Sequence, residues 1–336
     1  MFVLSHVISD PIDLYISPKT ASPGDIAALR AHYGLCTPST DFLYNFSCNA
    51  KSFWTFTVGL MTGDWGYSQL AKQAVYTAIA LRFPNTLELA IAAVILTIGI
   101  GIPLGIVSGV RNGKWADHAS RIFAIVGVSL PVFWLGLVLK IFFFYDFTNW
   151  GIPALPSGGA YDKLLVIQYF PATGGILPRI TGIPIIDTIL LGNGPLFVNA
   201  LGHLVLPAIT LAFISIGNIT RIMRSSMLEV LRQDYITLAR SKGLSERVVI
   251  YRHALRNALV PTLTISGLIF AGLLGGAPIT EFIFQWPGIG QLAINGILSN
   301  DIALVLGYVF ITTVIIVIAN LVVDILYAYM DPRVRY

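Results

Sequence analysis

Hydrophobic positions in this chain fall in long unbroken runs, with the polar residues pushed into the gaps between them. Four runs, at roughly 87–110, 122–145, 204–222 and 303–328, reach the length of about 20 residues that crosses a hydrocarbon core as a helix. A fifth, about 258–277, is equally apolar but carries Gly267, Gly272, Gly275 and Gly276. Small residues let helices approach closely in lipid, so this run is expected to be a buried, bent span. Continuous apolar runs exclude barrel strands, which alternate over about ten residues. The pattern predicts an all-α polytopic membrane protein. Composition agrees: 11% of residues are charged, against about 25% in soluble domains.

The gaps carry a charge asymmetry. Arg111, Lys114 and Arg121 cluster between the first two runs, and residues 221–261 hold eight Lys and Arg against three acids. Arg333 and Arg335 end the chain, whereas the alternate gaps, 146–203 and 278–302, hold only Lys163 and Arg179. Basic loops stay in the cytoplasm, which places residues 224–258 and the C-terminus inside and puts Trp286-Pro287-Gly288 in an external loop. Five spans with the C-terminus inside leave residues 5–84 outside. Met1-Phe2-Val3-Leu4 then reads as the tail of a truncated first span, and the chain divides into 1–84 and a transmembrane domain, 85–336. Within the first part, Ser22-Pro23-Gly24 forms a turn and Ile26, Leu29 and Tyr33 have helical spacing. Cys36 and Cys48 fall on the side where disulfides persist. A bridge between them would contribute roughly 3 kcal/mol on a chain-entropy model; the bridge and two free thiols both stay open.

The basic segment has internal order. Leu228, Leu231, Tyr235 and Leu238 share one helical face. Gly243 follows Lys242 as a helix-ending residue, because glycine adopts the left-handed cap conformation without penalty. Ser245 offers an N-cap, Glu246 suits a helix start, and Val248, Tyr251, Leu255 and Ala258 continue the pattern to Pro261. This predicts two short amphipathic helices joined at a glycine corner. Such an element could lie on anionic headgroups or enter a groove of a cytoplasmic partner, and the physics leaves both open.

The string Asp234-Tyr235-Ile236-x-x-Ala239-Arg240-x-Lys242-Gly243-Leu244, continuing Arg252-His253-Ala254-Leu255-Arg256-Asn257-Ala258, resembles the EAA loop of ATP-binding-cassette (ABC) importer permeases. The resemblance is to the dipeptide/oligopeptide/nickel branch of the binding-protein-dependent inner-membrane components. Gly63-Asp64-Trp65-Gly66, Leu130-Pro131-Val132-Phe133-Trp134-Leu135-Gly136, His203-Leu204-x-Leu206-Pro207-Ala208, Glu281-x-x-Phe284-x-Trp286-Pro287-Gly288-Ile289-Gly290 and Asp331-Pro332-Arg333-Val334-Arg335-Tyr336 agree in order and spacing. Where the wider family has Glu-Ala-Ala, this chain has Thr237, Leu238 and Ala239.

The resemblance implies a type I ABC importer permease (MetI-like) fold, with five spans visible and a first span cut short. It implies a coupling helix docked on an ATPase subunit: Gly243 at the corner, Asp234, Arg240, Lys242 and Arg252 in polar contacts, Tyr235, Leu238 and Leu244 in apolar ones, with Ala239, His253 and Asn257 in the same element. The implied partners are a second related permease subunit, two ATP-binding subunits and an extracytoplasmic solute-binding protein, in the lipid of the cell membrane and without nucleic acid. ATP and Mg would belong to the ATPase subunits, and this chain would hold no cofactor of its own. Peptides are the expected cargo, with oligosaccharides and nickel as the branch's other substrates, and no residue is assigned to substrate.

No Walker-type phosphate loop occurs, since Gly113-Lys114 is followed by Trp115. The Gly99, Gly101, Gly105 run lies in an apolar helix, where it reads as packing. No catalytic or metal-spaced set appears. Lys140 is expected to snorkel to the interface, Glu88 to open a span, and Asp324 to sit near the cytoplasmic surface. None is central enough for a proton relay, which weighs against an ion-coupled secondary transporter. A non-transporting membrane scaffold is the other alternative.

Overall fold

The computed structural model describes residues 22–33 and 42–330. Met1–Leu4, Cys36 and with it the Cys36–Cys48 pairing, and the Asp331–Tyr336 motif lie outside the described residues. Helices α1 (Pro23–Tyr33) and α2 (Phe42–Thr62) precede a two-residue antiparallel pair, β1 (Tyr67–Ser68) and β2 (Gln73–Ala74). Then follow α3 (Val75–Val110), α4 (Trp115–Ser129), α5 (Val132–Asn149), α6 (Lys163–Tyr169), α7 (Pro184–Leu190), α8 (Gly194–Val230) and α9 (Asp234–Ser241). The last four are α10 (Glu246–Leu274), α11 (Pro278–Ile283), α12 (Ile289–Leu298) and α13 (Ile302–Met330). Among the described residues five helices, α3, α5, α8, α10 and α13, are long and apolar enough to cross a membrane.

Several expected boundaries move. The first span starts at Val75, so a division at 84/85 falls inside a helix. The run 122–145 is two helices, because Leu130 and Pro131 are extended (ψ 129° and 133°). Proline disfavours helical geometry in the residue before it, and the break follows. Pro103, Pro207 and Pro261 stay inside helices. The run 258–277 belongs to α10, which starts at Glu246 and buries a stripe of Ala258, Thr262, Ser266 and Ala271. It is not buried all round.

The core is built on α3 against α8. A methyl group added at Gly101 would lie 2.9 Å from Ile219, at Gly105 2.5 Å from Met223, and at Gly109 2.6 Å from Met227. The glycines recur every four residues and meet side chains that recur every four, so the backbones approach as only glycine allows. Gly99 has open space beside it and takes no part. Helix α4 packs on the same α8, where Gly217 sits against the Ala124 carbonyl and Phe123 meets Phe213 edge-on at 5.2 Å. On the far side, α10 and α13 close at Gly267, 2.7 Å from Val323 by the same construction.

Two carboxylates tie the ends of this bundle. At the end bearing the basic loops, Asp117 bonds Arg224 Nε at 2.6 Å and Nη2 at 3.0 Å, and accepts from Ser108 Oγ and the Gly113 N–H. The Arg224 guanidinium, first, and then the Ser108 and Gly113 donors hold this carboxyl well below its usual range, against the opposing effect of burial. At the opposite end, Glu281 is fully buried. It accepts from Thr86 Oγ1 at 3.0 Å and from the Gln291 N–H at 3.0 Å, and Thr86 Oγ1 accepts from the Ile289 N–H. The carboxylate therefore caps the start of α12, where orphan N–H groups converge. Burial pushes the Glu281 carboxyl up, and the N–H donors hold it back.

This explains the Glu281-to-Gly290 motif. Any side chain at Gly288 would collide with Glu281 and Thr86, and one at Gly290 would lie 2.7 Å from Pro278. Trp286 is buried among Leu89, Ala93 and Leu204, with its indole N–H on the Asn85 carbonyl at 2.8 Å. Trp286 and Gly288 are buried, so within this expected external loop they offer no surface to a partner. Lys140 differs from expectation too, donating to the Ile283 carbonyl at 2.9 Å where α11 ends.

Glu281→Ala leaves a buried hydroxyl and N–H groups without an acceptor and is expected to destabilise the fold by about 3 kcal/mol. Glu281→Gln keeps one acceptor oxygen and loses less. Thermal midpoints of the detergent-solubilised protein check the order, and equal midpoints would refute the capping role. Because the Asp117 carboxyl is depressed in the folded state, its stabilisation is complete above the ordinary Asp range and is lost only as pH falls through the lower folded value. Asp117→Asn should therefore cost about 3 kcal/mol, constant from about pH 6 to 8, with the gap to the parent closing only in strong acid.

Candidate functional site

The turn after α8 is formed by Leu231, Arg232 and Gln233, and the chain re-enters a helix at Asp234 because Gln233 is extended (ψ 149°). Leu228 therefore belongs to the long α8, while Tyr235 and Leu238 belong to α9 and do not share a helix with it. The connecting element is shorter than 224–258, since α8 runs to Val230 and α10 begins at Glu246.

Gly243 forms the corner between α9 and α10. Its φ is +73°, and its N–H donates to the Arg240 carbonyl at 2.9 Å. A methyl group there would meet nothing within 4 Å. Glycine is needed for its left-handed backbone and not for space. Ser245 takes the N-cap position with extended geometry but its side chain makes no cap bond. Across the corner, Arg240 reaches Glu246 at 2.8 and 3.3 Å. That pair is exposed and contributes at most about 1 kcal/mol, so its part is to orient. Asn257 Nδ2 donates to the Tyr235 hydroxyl at 2.7 Å and ties α9 to α10 a second time.

The element has two faces. Ile236 and Ala239 of α9 are buried with Val249, Ala254 and Ala258 of α10, on Met223 and Met227 of α8. Ala239 thus faces its own core and is no surface for a partner. The other face leaves apolar side chains in the open: Tyr235 is 40% exposed, Leu238 57%, Leu244 39% and Tyr251 62%. Asp234, Arg240, Lys242, Gly243, Arg252 and Asn257 are exposed around them and His253 is half-buried.

The phase of α10 departs from the expected Val248, Tyr251, Leu255, Ala258 stripe. The stretch Val249–Ala254 is π-helical, so the buried positions step by five from Val249 to Ala254 and then by four to Ala258. Sequence periodicity of 3.6 could not have found this. The second helix is also not short, and it does not stop at Pro261.

Three acids that matter here were missed or underread in the sequence. Asp117 carries no motif role, Glu281 heads its motif without an assigned part, and Glu88 is expected to open a span. Glu88 lies well inside α3, buried, with Oε1 accepting from the Ile185 N–H at 2.9 Å. An acid flanked by Ala, Leu and Ile was the available signal. Among the described residues no group of three or more His, Cys, Asp or Glu could hold a metal.

Comparison with known proteins places this arrangement. The chain is 40% identical to the probable D,D-dipeptide transport system permease protein DdpB of Escherichia coli (strain K12), over 99% of this chain and 91% of that protein. It is 36% identical to the dipeptide transport system permease protein DppB of the same organism, over 100% of this chain and 93% of that one. A 37% identical DppB from Alkalihalophilus pseudofirmus covers 100% of this chain and 93% of its own length. Residues 101–336 match the family described as binding-protein-dependent transport system inner membrane component. With five apolar spans among the described residues and a glycine-cornered projection between the third and fourth of them, the chain belongs to this family, as a multi-pass inner-membrane transport permease.

Proposed function

We propose that this chain is the permease subunit of an ABC importer that carries peptides into the cell, and that α9 with its corner at Gly243 is the element through which an ATPase subunit drives it. The single supporting observation is the apolar face of Tyr235, Leu238, Leu244 and Tyr251, held out from the bundle by the opposite, buried face. Four large apolar side chains exposed on one projecting element, with charged residues among them, suit a groove on a protein partner.

The mechanical consequence is direct. Ile236 and Ala239 rest on both α8 and α10, so a displacement of α9 is passed to two long helices at once. The far half of α8 packs its Leu204, Ala208 and Leu211 with Trp286, so the same rod reaches the buried segment at the opposite end. In this reading the basic end is cytoplasmic, the opposite end meets a solute-binding protein, and a second related permease subunit completes the path. ATP and Mg would be held by two ATPase subunits, and this chain would carry out no covalent chemistry. Peptides are the cargo the relatives' names support, as dipeptide and D,D-dipeptide permeases.

In the complex reconstituted with its ATPase subunits, ATP hydrolysis should rise several-fold when peptide-loaded binding protein is added. Hydrolysis that ignores the binding protein would sink the importer reading in favour of a carrier or scaffold. Gly243→Val forces a β-branched residue into a left-handed conformation at a cost of about 1–3 kcal/mol. It is expected to insert normally yet lose most peptide uptake per ATP hydrolysed. Unchanged uptake by this variant would remove the corner from the mechanism.

A further inference from the structure

Two arginines line one pocket at the end of the bundle opposite the basic loops. The pocket measures about 360 Å³ and lies between the first turns of α3, the 176–187 stretch and Pro287. Its wall is mixed, with Arg82, Arg179 and Asp187 beside Leu81, Ile176 and Leu177. Arg179 is fixed in place there. Its Nη2 donates to the Leu81 carbonyl at 2.7 Å, and a methyl group at Gly182 would lie 3.3 Å from Pro84, so this loop rests on α3. Asp187 accepts from the Thr181 and Gly182 N–H groups and from the Thr181 hydroxyl, which closes the loop behind Arg179. Arg82 donates to Gln291 Oε1 at 3.2 Å. Among the described residues neither guanidinium is in an ion pair, and each makes only this one hydrogen bond, which leaves most of its N–H groups uncommitted. Arg179 is exposed and Arg82 half-buried, and their charges are close enough to repel. Glu281 also acts on Arg82, but it lies outside this wall with its oxygens on Thr86 and the Gln291 N–H. An anion between the two arginines would turn that repulsion into two attractions.

We propose that this pocket binds the terminal carboxylate of a peptide with an apolar last residue, with Arg82 and Arg179 as its anchors; this deepens the peptide-importer reading and rests on it. A guanidinium presents paired N–H groups that match the two oxygens of a carboxylate in a charge-assisted contact. Charge narrows the class. Two arginines and one aspartate on the wall leave a single net positive charge, which suits a monoanion. A phosphate dianion would bring surplus negative charge towards Asp187. Leu81 and Ile176, 42% and 63% exposed, offer apolar surface to the side chain next to the carboxylate. The volume is within the range of small-ligand pockets. On the orientation proposed above, this end faces the solute-binding protein, so a released peptide would meet the pocket early.

The test uses the complete permease–ATPase complex in nanodiscs, without binding protein, and a dileucine whose C-terminal residue carries a diazirine as photoprobe. Crosslinks are expected within residues 78–85 and 176–187. Unlabelled dileucine and N-acetyldileucine should compete, whereas dileucine amide, which lacks the carboxylate, should not. Arg179→Gln should weaken labelling about ten-fold or more, the loss expected for a hydrogen bond to a charged group. Ile176→Asp, at an exposed wall position, should weaken it more than Ile176→Asn, because only the aspartate adds a repelling charge. A poorly assembled arginine variant therefore does not end the test. Labelling equal in parent and Arg179→Gln, or competed equally by the amide, overturns the site, and so does the absence of crosslinks in these two stretches. Displacement by inorganic phosphate at lower concentration than by dileucine overturns the carboxylate assignment. Peptide uptake by the parent complex with its binding protein is measured alongside. If uptake persists while labelling fails, the pocket assignment falls alone; if amide-insensitive, arginine-dependent labelling stands without uptake, the cargo reading falls and the carboxylate site remains.

Discussion

The backbone-to-backbone approach of α3 and α8 is the constraint on which the rest of the molecule hangs. In lipid no hydrophobic force draws helices together, so association depends on close van der Waals fit. The Gly101, Gly105, Gly109 stripe supplies that fit against Ile219, Met223 and Met227. Met223 and Met227 then serve a second purpose, because their other sides form the floor under Ile236, Val249 and Ala254. The surface that receives the projecting element is thus the same pair of side chains that locks the central helices. A bulkier residue at Gly105 would disturb both through one contact.

What could be read from the sequence and what could not divide along physical lines. Apolar runs told where helices cross, because burial in lipid is a bulk property of the side chains. They did not tell where helices start. Val75 begins α3 because Trp65, Val75, Ile79 and Leu304 form a core of their own beyond the bilayer run, and no local hydropathy marks it. Leu130-Pro131 broke its run, while Pro103, Pro207 and Pro261 did not break theirs. Proline is a local signal whose outcome neighbouring helices decide. Gly243 was legible since a positive φ is a single-residue demand. The inward turn of Ala239 was not, because facing depends on where α8 stops and α9 restarts.

The same contrast holds for the polar residues. Trp286-Pro287-Gly288 is expected in an external loop from charge alone, and its glycine is a clearance for a buried carboxylate. Asp301 shows the pattern again, accepting from Ser68 Oγ at 2.6 Å, the Leu70 N–H and the Leu304 N–H, and so fastening the β1–β2 pair to the start of α13. In each case a lone acid in an apolar setting marks the place where chain segments far apart in sequence are pinned. Tertiary closure is what gives such residues meaning, and composition sees only their rarity.

The π-helical turn at Val249–Ala254 has a consequence for how force enters this molecule. A π turn holds one residue more per turn than an α turn, so it is a stored slip in the screw. It lies between the corner at Gly243 and the intramembrane part of α10. On the other side of the corner, α9 meets α8 through the turn at Leu231–Gln233, and α8 itself is α-helical from Gly194 to Val230. The two long helices that pack with α9 therefore differ: α8 has regular α geometry, and α10 carries the π turn. Under the proposed coupling role, a displacement of α9 would thus be carried differently by the two long helices that pack with it.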